Sequence, residues 1–259
     1  MKKILFLLIA LLAVLTVWFT CANCRAIRRD VDSRPVSHER WDALLRKYVS
    51  PEGLVRYRDF LRDSAELNAY LRLLESAHPN EKTWTRAEQM AYWINAYNAY
   101  TVQLILRHYP VSSIKDIKSG IAFVNSVWDI KFIRIQGYEY DLNNIEHNIL
   151  RPVFKDARIH AAINCASYSC PPLRNEAFLA ERLDAQLDDA MRRFISDPLR
   201  NRIGPDKAEV SKIFSWFSGD FERDAGSVRA YLNRYLSTPI GPHTPLTYLD
   251  YNWALNEAK

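Results

Sequence analysis

TRAEQMAYWINAYNAYTVQLILRH, residues 85–108, is the longest helically periodic segment in the chain. Thr85 followed three positions on by Glu88 has the form of a capping box, in which each side chain pairs with the other residue's backbone N–H, and Tyr109-Pro110 closes the helix. At about 100° per residue, Trp93, Tyr97, Tyr100 and Leu104 fall on one side, and Ile94, Val102, Ile105 and Leu106 on roughly the opposite one. Such a helix is buried nearly all round. Glu88, Asn95 and Asn98 lie in the second apolar arc, and buried polar groups cost a few kcal/mol unless hydrogen-bonded. They either cap neighbouring loops from inside the core or orient a site.

N-terminal to it, Trp41, Leu44, Leu45 and Tyr48 recur at helical spacing, and a second helix runs over Phe60–Leu74 until His78-Pro79-Asn80 breaks it. On the other side, Phe132-Ile-Arg-Ile and Tyr138–Leu142 alternate around Gln136-Gly137, the pattern of a β-hairpin. Asn143 or Asn144 caps a short helix through Leu150, and Arg158–Asn164 reads as a buried strand ending at Cys165. Phe178–Ile195 is an amphipathic helix, Val210–Phe221 an aromatic element, Val228–Leu236 a further helix and Leu246–Trp253 a last strand. With no repeat or low-complexity tract, the fold class is α+β: one globular domain over residues 37–259, helices packed on a small, mostly antiparallel sheet.

In front of that domain, Lys2-Lys3 precede the uncharged apolar run Ile4–Ala22, so residues 1–22 read as a cleaved signal peptide or an uncleaved membrane anchor, and residues 23–36 as a tether. Thr20 and Ala22 suit a cleavage site, whereas Arg25, Arg28 and Arg29 just beyond it oppose export; lipidation at Cys21 is disfavoured by Trp18-Phe19-Thr20. Either main reading places the bulk of the protein in the cell envelope, exported, with membrane contact through the N-terminal segment if it is uncleaved. Lys plus Arg number 35 against 30 acids, spread along the chain with no basic stripe, which speaks against a nucleic-acid partner. The chain's 7 glycines form neither a Rossmann nor a P-loop string, and no cofactor is expected.

Reactive residue types concentrate elsewhere. Ile145-Glu146-His147, His160 and Cys165-Ala-Ser-Tyr-Ser-Cys170 bring two of the 6 histidines together with the two cysteines outside the leader region. A thiolate nucleophile needs a base or cation to lower its pKa, and the base needs an orienting acceptor. On a regular strand His160 and Cys165 point to opposite faces, which makes His147 the better partner, with Glu146, Glu88, Asn95 or Asn98 as third member. The candidate catalytic residues are therefore Cys165, His147, Glu146, Glu88, Asn95 and His160, with backbone N–H groups of the Cys165 loop as oxyanion donors. Two other readings stand beside this one. Cys165–Cys170 is a structural disulfide in a non-catalytic binding or scaffolding domain, or Cys165, Cys170, His147 and His160 hold zinc. Ser167 and Ser169 lack a G-x-S-x-G elbow, and His38, His78, His108 and His243 are expected at the surface.

The strings Glu88-Gln-Met-Ala-Tyr-Trp93-Ile-Asn95-Ala-Tyr-Asn98, Leu142-Asn-Asn-Ile-Glu146-His147 and Arg158-Ile-His160-Ala-Ala-Ile-Asn-Cys165-Ala-Ser-Tyr-Ser-Cys170-Pro-Pro resemble the domain of unknown function 547 family, with a core at about residues 85–198. The resemblance implies that Glu88, Trp93, Asn95, Asn98, Glu146, His147, His160, Cys165 and Cys170 occupy motif positions. It implies no agreed reaction, and it covers exported bacterial and intracellular plant proteins. The resulting expectation is a thiol-dependent hydrolase or acyltransferase acting on a small-molecule or peptide substrate. A papain-like or transglutaminase-like architecture would suit it, although Glu and His precede Cys here, the reverse of the usual order in both.

Overall fold

The computed structural model describes residues 32–118, 126–204 and 206–258. Residues 1–22, read as a signal peptide or anchor, and most of residues 23–36, read as a tether, lie outside the described residues. Among those that are described, no helix is long and apolar enough to cross a membrane.

Helix α1 (Glu39–Tyr48) buries Trp41, Leu44, Leu45 and Tyr48. The next helical stretch starts as α2 (Tyr57–Phe60), passes through a 3₁₀ turn (Leu61–Asp63), and continues as α3 (Ser64–Ser76), which buries Leu67, Tyr70, Leu71 and Leu74. Helix α4 (Arg86–His108) opens on the expected capping box, the Thr85 side chain accepting from the Glu88 N–H while the Glu88 carboxylate accepts from the Thr85 N–H at 2.6 Å. Every residue from Met90 to Leu106 is buried, so α4 is the central column of the molecule. Glu88 itself is only half-buried and serves the cap, a correction to its placement in the buried arc.

Beyond α4 the hairpin forms as read: β1 (Ile133–Ile135) pairs antiparallel with β2 (Tyr138–Tyr140) around Gln136-Gly137, both at positive φ. The following helix is longer than expected and of π type, α5 (Asn144–Phe154), with Asp141 rather than Asn143 or Asn144 capping its start and Pro152 inside it. Arg158–Asn164 is not a strand. Its centre is one helical turn, α6 (Ile159–Ala162), because a short apolar run buried on all sides satisfies either period. Helix α7 (Leu183–Ser196) begins five residues later than expected, after a 3₁₀ turn at Ala180–Arg182. A second, three-stranded sheet follows, with β3 (Arg202–Ile203) antiparallel to β4 (Ala208–Val210), and β4 parallel to β5 (Leu246–Tyr248). Among the described residues the fold is thus mostly helical, with two small sheets in place of one. Between β4 and β5 lie α8 (Ile213–Trp216), α9 (Ser218–Ala225) and α10 (Val228–Asn233).

Two of the four histidines expected at the surface are buried, because each imidazole finds a tyrosine hydroxyl: His38 Nδ1 lies 2.7 Å from Tyr70, and His78 Nε2 2.9 Å from Tyr140. His108 and His243 are exposed as read.

The apolar side chains form two clusters. One surrounds α4 and includes Trp41, Tyr57, Tyr70, Tyr92, Tyr97 and Tyr100. The other gathers Met191, Phe194, Phe214, Phe221 and Tyr231 around α9 and the C-terminal end of α7. Helices α6 and α7 belong to both, Ile159 and Ala162 facing the first cluster while Ala161 faces the second. The residues between the clusters are held from α4 by Asn98, whose amide donates to the Ala162 carbonyl at 2.9 Å and accepts the Asn164 N–H at 2.8 Å. Asn98→Ala leaves both partners buried and unpaired, and urea unfolding is expected to show a loss of about 2–4 kcal/mol, well beyond an ordinary surface substitution.

Candidate functional site

Three residues after α6, Cys165 opens a loop whose shape follows from asparagine chemistry. The Asn164 side chain accepts the Ala166 N–H at 2.8 Å and donates to the Pro171 carbonyl at 2.8 Å, closing the loop on itself. This turn forces Ala166 to φ 59°, a left-handed conformation that costs an L-residue about 1–2 kcal/mol and is kept only where surroundings over-determine it. Arg200, buried and paired with Asp197, donates to the carbonyls of Tyr168 and Cys170. Gly53, at φ 81°, lies so close to the Pro171-Pro172 arm that a Cβ there would sit 2.5 Å from Pro172 Cβ. Lastly, the C-terminal segment runs alongside, with Tyr168 N–H on Ala254 O at 2.7 Å and Asn256 N–H on Ala166 O at 3.1 Å.

Held this way, half-buried Cys165 faces a cavity of about 210 Å³ at the junction of the two clusters. Glu146, His147, His160, Cys170 and Tyr97 line it together with the aromatic side chains Trp128, Trp216, Phe217, Tyr251 and Trp253. Four of the six residues singled out from the sequence therefore meet in one pocket. The other two do not. Glu88 caps α4, and Asn95 pairs with both backbone groups of Phe178, its Nδ2 on the carbonyl at 2.7 Å and its Oδ1 on the N–H at 3.0 Å.

Both cysteines are free thiols. The Cys165 Sγ lies 3.2 Å from Cys170 Sγ, 3.1 Å from Ser167 Oγ and 3.4 Å from Tyr251 Oη. The hydrogen bond with Cys170 is the largest influence on that thiol; it outweighs burial and, with the Ser167 and Tyr251 hydroxyls, brings the Cys165 pKa down to about 6. Cys170 is pushed up by burial and stays a thiol at neutral pH. The Cys165 N–H points at Cys170 Sγ, 3.0 Å away, and the Ala166 N–H at Asn164, so these backbone donors are committed within the loop and do not form the expected oxyanion hole.

The carboxylate and the histidines divide the proton chemistry. Glu146, on the π-helix α5, accepts from Tyr97 Oη at 3.4 Å; burial first, and then the charge of Cys165, push its pKa up to about 7. His160 stacks on Phe217 and puts Nε2 2.8 Å from Asp220, so Nε2 carries the proton and Nδ1 presents its lone pair, 4.0 Å from a Glu146 oxygen. Burial raises Asp220, but the hydrogen bonds from His160 and Arg151 outweigh it and hold the carboxyl well below its usual range. His160 is lowered by burial against the pull of Asp220, and is therefore neutral at pH 7. His147 stands exposed on the rim, where Arg151 donates to its Nδ1 at 3.0 Å; the proton is then on Nε2, and desolvation together with Arg151 lowers its pKa. Alternation on a strand favours His147 over His160 as the base, and the helical turn α6 removes that ground. Among the described residues no group of three or more His, Cys, Asp or Glu side chains is arranged to hold a metal ion.

Asp220, Tyr97, Tyr251 and the tryptophan wall were not singled out from the sequence. Asp220 is one acid in the charged stretch Asp220–Asp224, and Tyr251 stands 86 positions from Cys165, so no local pattern joins either to the site.

The family model described as a protein of unknown function, DUF547, matches residues 81–195, which carry α4, α5, α6, the Cys165 loop and most of α7. No curated protein and no solved structure matches the chain. Alkylation of Cys165 by iodoacetamide, followed across pH by peptide mass spectrometry, is expected to have its midpoint near pH 6; Ser167→Ala and Tyr251→Phe each remove a donor to the sulfur and move that midpoint upward.

Proposed function

We propose, since residues 81–195 form a DUF547 domain whose description carries no activity, a function drawn from the site itself: thiol-dependent acyl transfer, to water or to a second nucleophile, with Cys165 as the attacking atom. The observation that carries this reading is the meeting of a half-buried, low-pKa thiol with a neutral-range carboxyl and a hydrogen-bonded His160–Asp220 pair in one aromatic-walled cavity.

The Cys165 proton passes to Glu146, and the thiolate adds to the acyl carbon. As the tetrahedral intermediate collapses, the carboxyl of Glu146 returns that proton to the leaving group, leaving an acyl-thioester on Cys165. A water or acceptor molecule then loses a proton to Glu146, attacks the thioester and regenerates the thiol. His160 Nδ1 faces Glu146 and steadies its protonated form, with Asp220 holding the ring in the required tautomer. The Nε2–H of His147 on the rim serves as a donor to the substrate oxygen. His160 thus takes the role closer to the base, and His147 that of an electrophilic aid.

This account predicts that hydrolysis of S-phenyl thioacetate, a small aryl thioester suited to the cavity, is abolished in Cys165→Ala while the thermal melt is retained. Glu146→Gln lowers kcat by about 10²–10⁴-fold and removes the rise in rate through pH 7. Full activity in Cys165→Ala would overturn the assignment.

A further inference from the structure

Acyl transfer uses one thiol, and the pocket contains two. Cys165 is half-buried against the cavity, while Cys170 is 3% exposed behind it, so a reagent entering the pocket meets Cys165 first. The two sulfurs are 3.2 Å apart, and closing that gap to the roughly 2.05 Å of a disulfide takes about 1 Å of movement within a loop spanning five positions. Cys170 Sγ is already in contact with the attacking sulfur, accepting from Cys165 Sγ at 3.2 Å, while its own S–H is directed to the Ile163 carbonyl over a long 3.9 Å. The cavity walls are the rings of Trp128, Trp216, Phe217, Tyr251 and Trp253, a lining that favours an apolar reactant over a charged one. Two hydroxyls, Ser167 Oγ and Tyr251 Oη, stand within 3.4 Å of the attacking sulfur, where they can donate to a leaving oxygen.

We propose that Cys165 and Cys170 are a peroxidatic and resolving pair that reduces small organic hydroperoxides. The Cys165 thiolate attacks the terminal peroxide oxygen; the S–O bond forms, the O–O bond breaks, and the alkoxide leaves as the alcohol with a proton from the pocket. Cys165 is now a sulfenic acid. The Cys170 sulfur then attacks Cys165 Sγ, the S–O bond breaks, and the departing hydroxide takes the Cys170 proton to leave as water. The two thiols are oxidised by two electrons to a disulfide, the hydroperoxide is reduced to an alcohol, and an external thiol restores the pair. This inference rests on the position of the two sulfurs and stands independently of acyl transfer; formation of the disulfide would silence the nucleophile for both reactions.

The test uses the full chain and tert-butyl hydroperoxide, read by mass spectrometry. Trypsin releases Ile159–Arg174, which contains both pocket cysteines and neither Cys21 nor Cys24. The peptide is expected to become two hydrogens lighter, to return to its original mass with dithiothreitol, and to do so at least about ten-fold faster in the native protein than in the chain unfolded in urea. In Cys170→Ala the same treatment is expected to leave a Cys165 sulfenic acid that dimedone captures. An unchanged peptide, a rate equal in native and unfolded protein, or direct passage of wild-type Cys165 to the sulfinic acid would each overturn the proposal. Because the readout is the state of the sulfurs, loss of thioesterase activity without loss of this chemistry would refute only acyl transfer.

Discussion

Two buried asparagines determine where the thiol sits. Asn98 reaches from the centre of α4 to the backbone on both sides of Ile163, and Asn164 folds the next residues into a turn by bonding the Ala166 N–H and the Pro171 carbonyl. Neither side chain touches the cavity, yet both control the direction of Cys165 Sγ. Hydrogen bonds of this kind, made away from water, are worth more for what their loss would leave unpaired than for their net contribution when formed. The left-handed Ala166 is the local cost of that control, sustained by the packing of Arg200, Gly53 and the C-terminal segment around the same loop.

The site occupies the junction of two apolar clusters, and this location explains its mixed chemistry. The α4 cluster supplies Tyr97 and, through α5, Glu146; the second cluster supplies Ile213, Phe221 and the ring of Phe217 on which His160 stacks. Burial between them pushes Glu146 up into the neutral range and lowers His160, while at the loop hydrogen bonds outweigh burial and lower Cys165. Near pH 6–7 the thiol and the carboxyl both titrate and Glu146 feels the charge of Cys165, the match in proton affinity that a nucleophile and its base require. On α5, Glu146 lies in the buried wall of the cavity and His147 stands exposed on its rim.

Much of this was legible in the sequence wherever a local rule operates. The Thr85–Glu88 capping box, the all-round burial of α4 and the Gln136-Gly137 hairpin each follow from spacing alone. The motif residues Glu146, His147, His160 and Cys165 do converge. What was misread lies where local rules are silent: RIHAAIN is apolar enough to satisfy a strand or a helical turn, and only the fit of Ala161 and Ala162 between two clusters selects the turn. Asp220 and Tyr251 enter from distant segments, so their roles depend on tertiary structure that no periodicity encodes. Glu88 and Asn95 illustrate the opposite case, motif residues whose work is to hold backbone in place and thereby support the site from a distance.

If the fold activates Cys165 for acyl transfer as proposed, the thiol passes through a covalent acyl intermediate. The most direct measurement is to mix the protein with S-phenyl thioacetate, quench in acid within the first turnover, and map the acetyl group by peptide mass spectrometry. The account predicts an acetyl group on Cys165, within Ile159–Arg174, that forms in the native protein and is absent from the urea-unfolded chain. An acetyl group distributed over exposed lysines, or one that appears on Cys165 equally fast after unfolding, would contradict it.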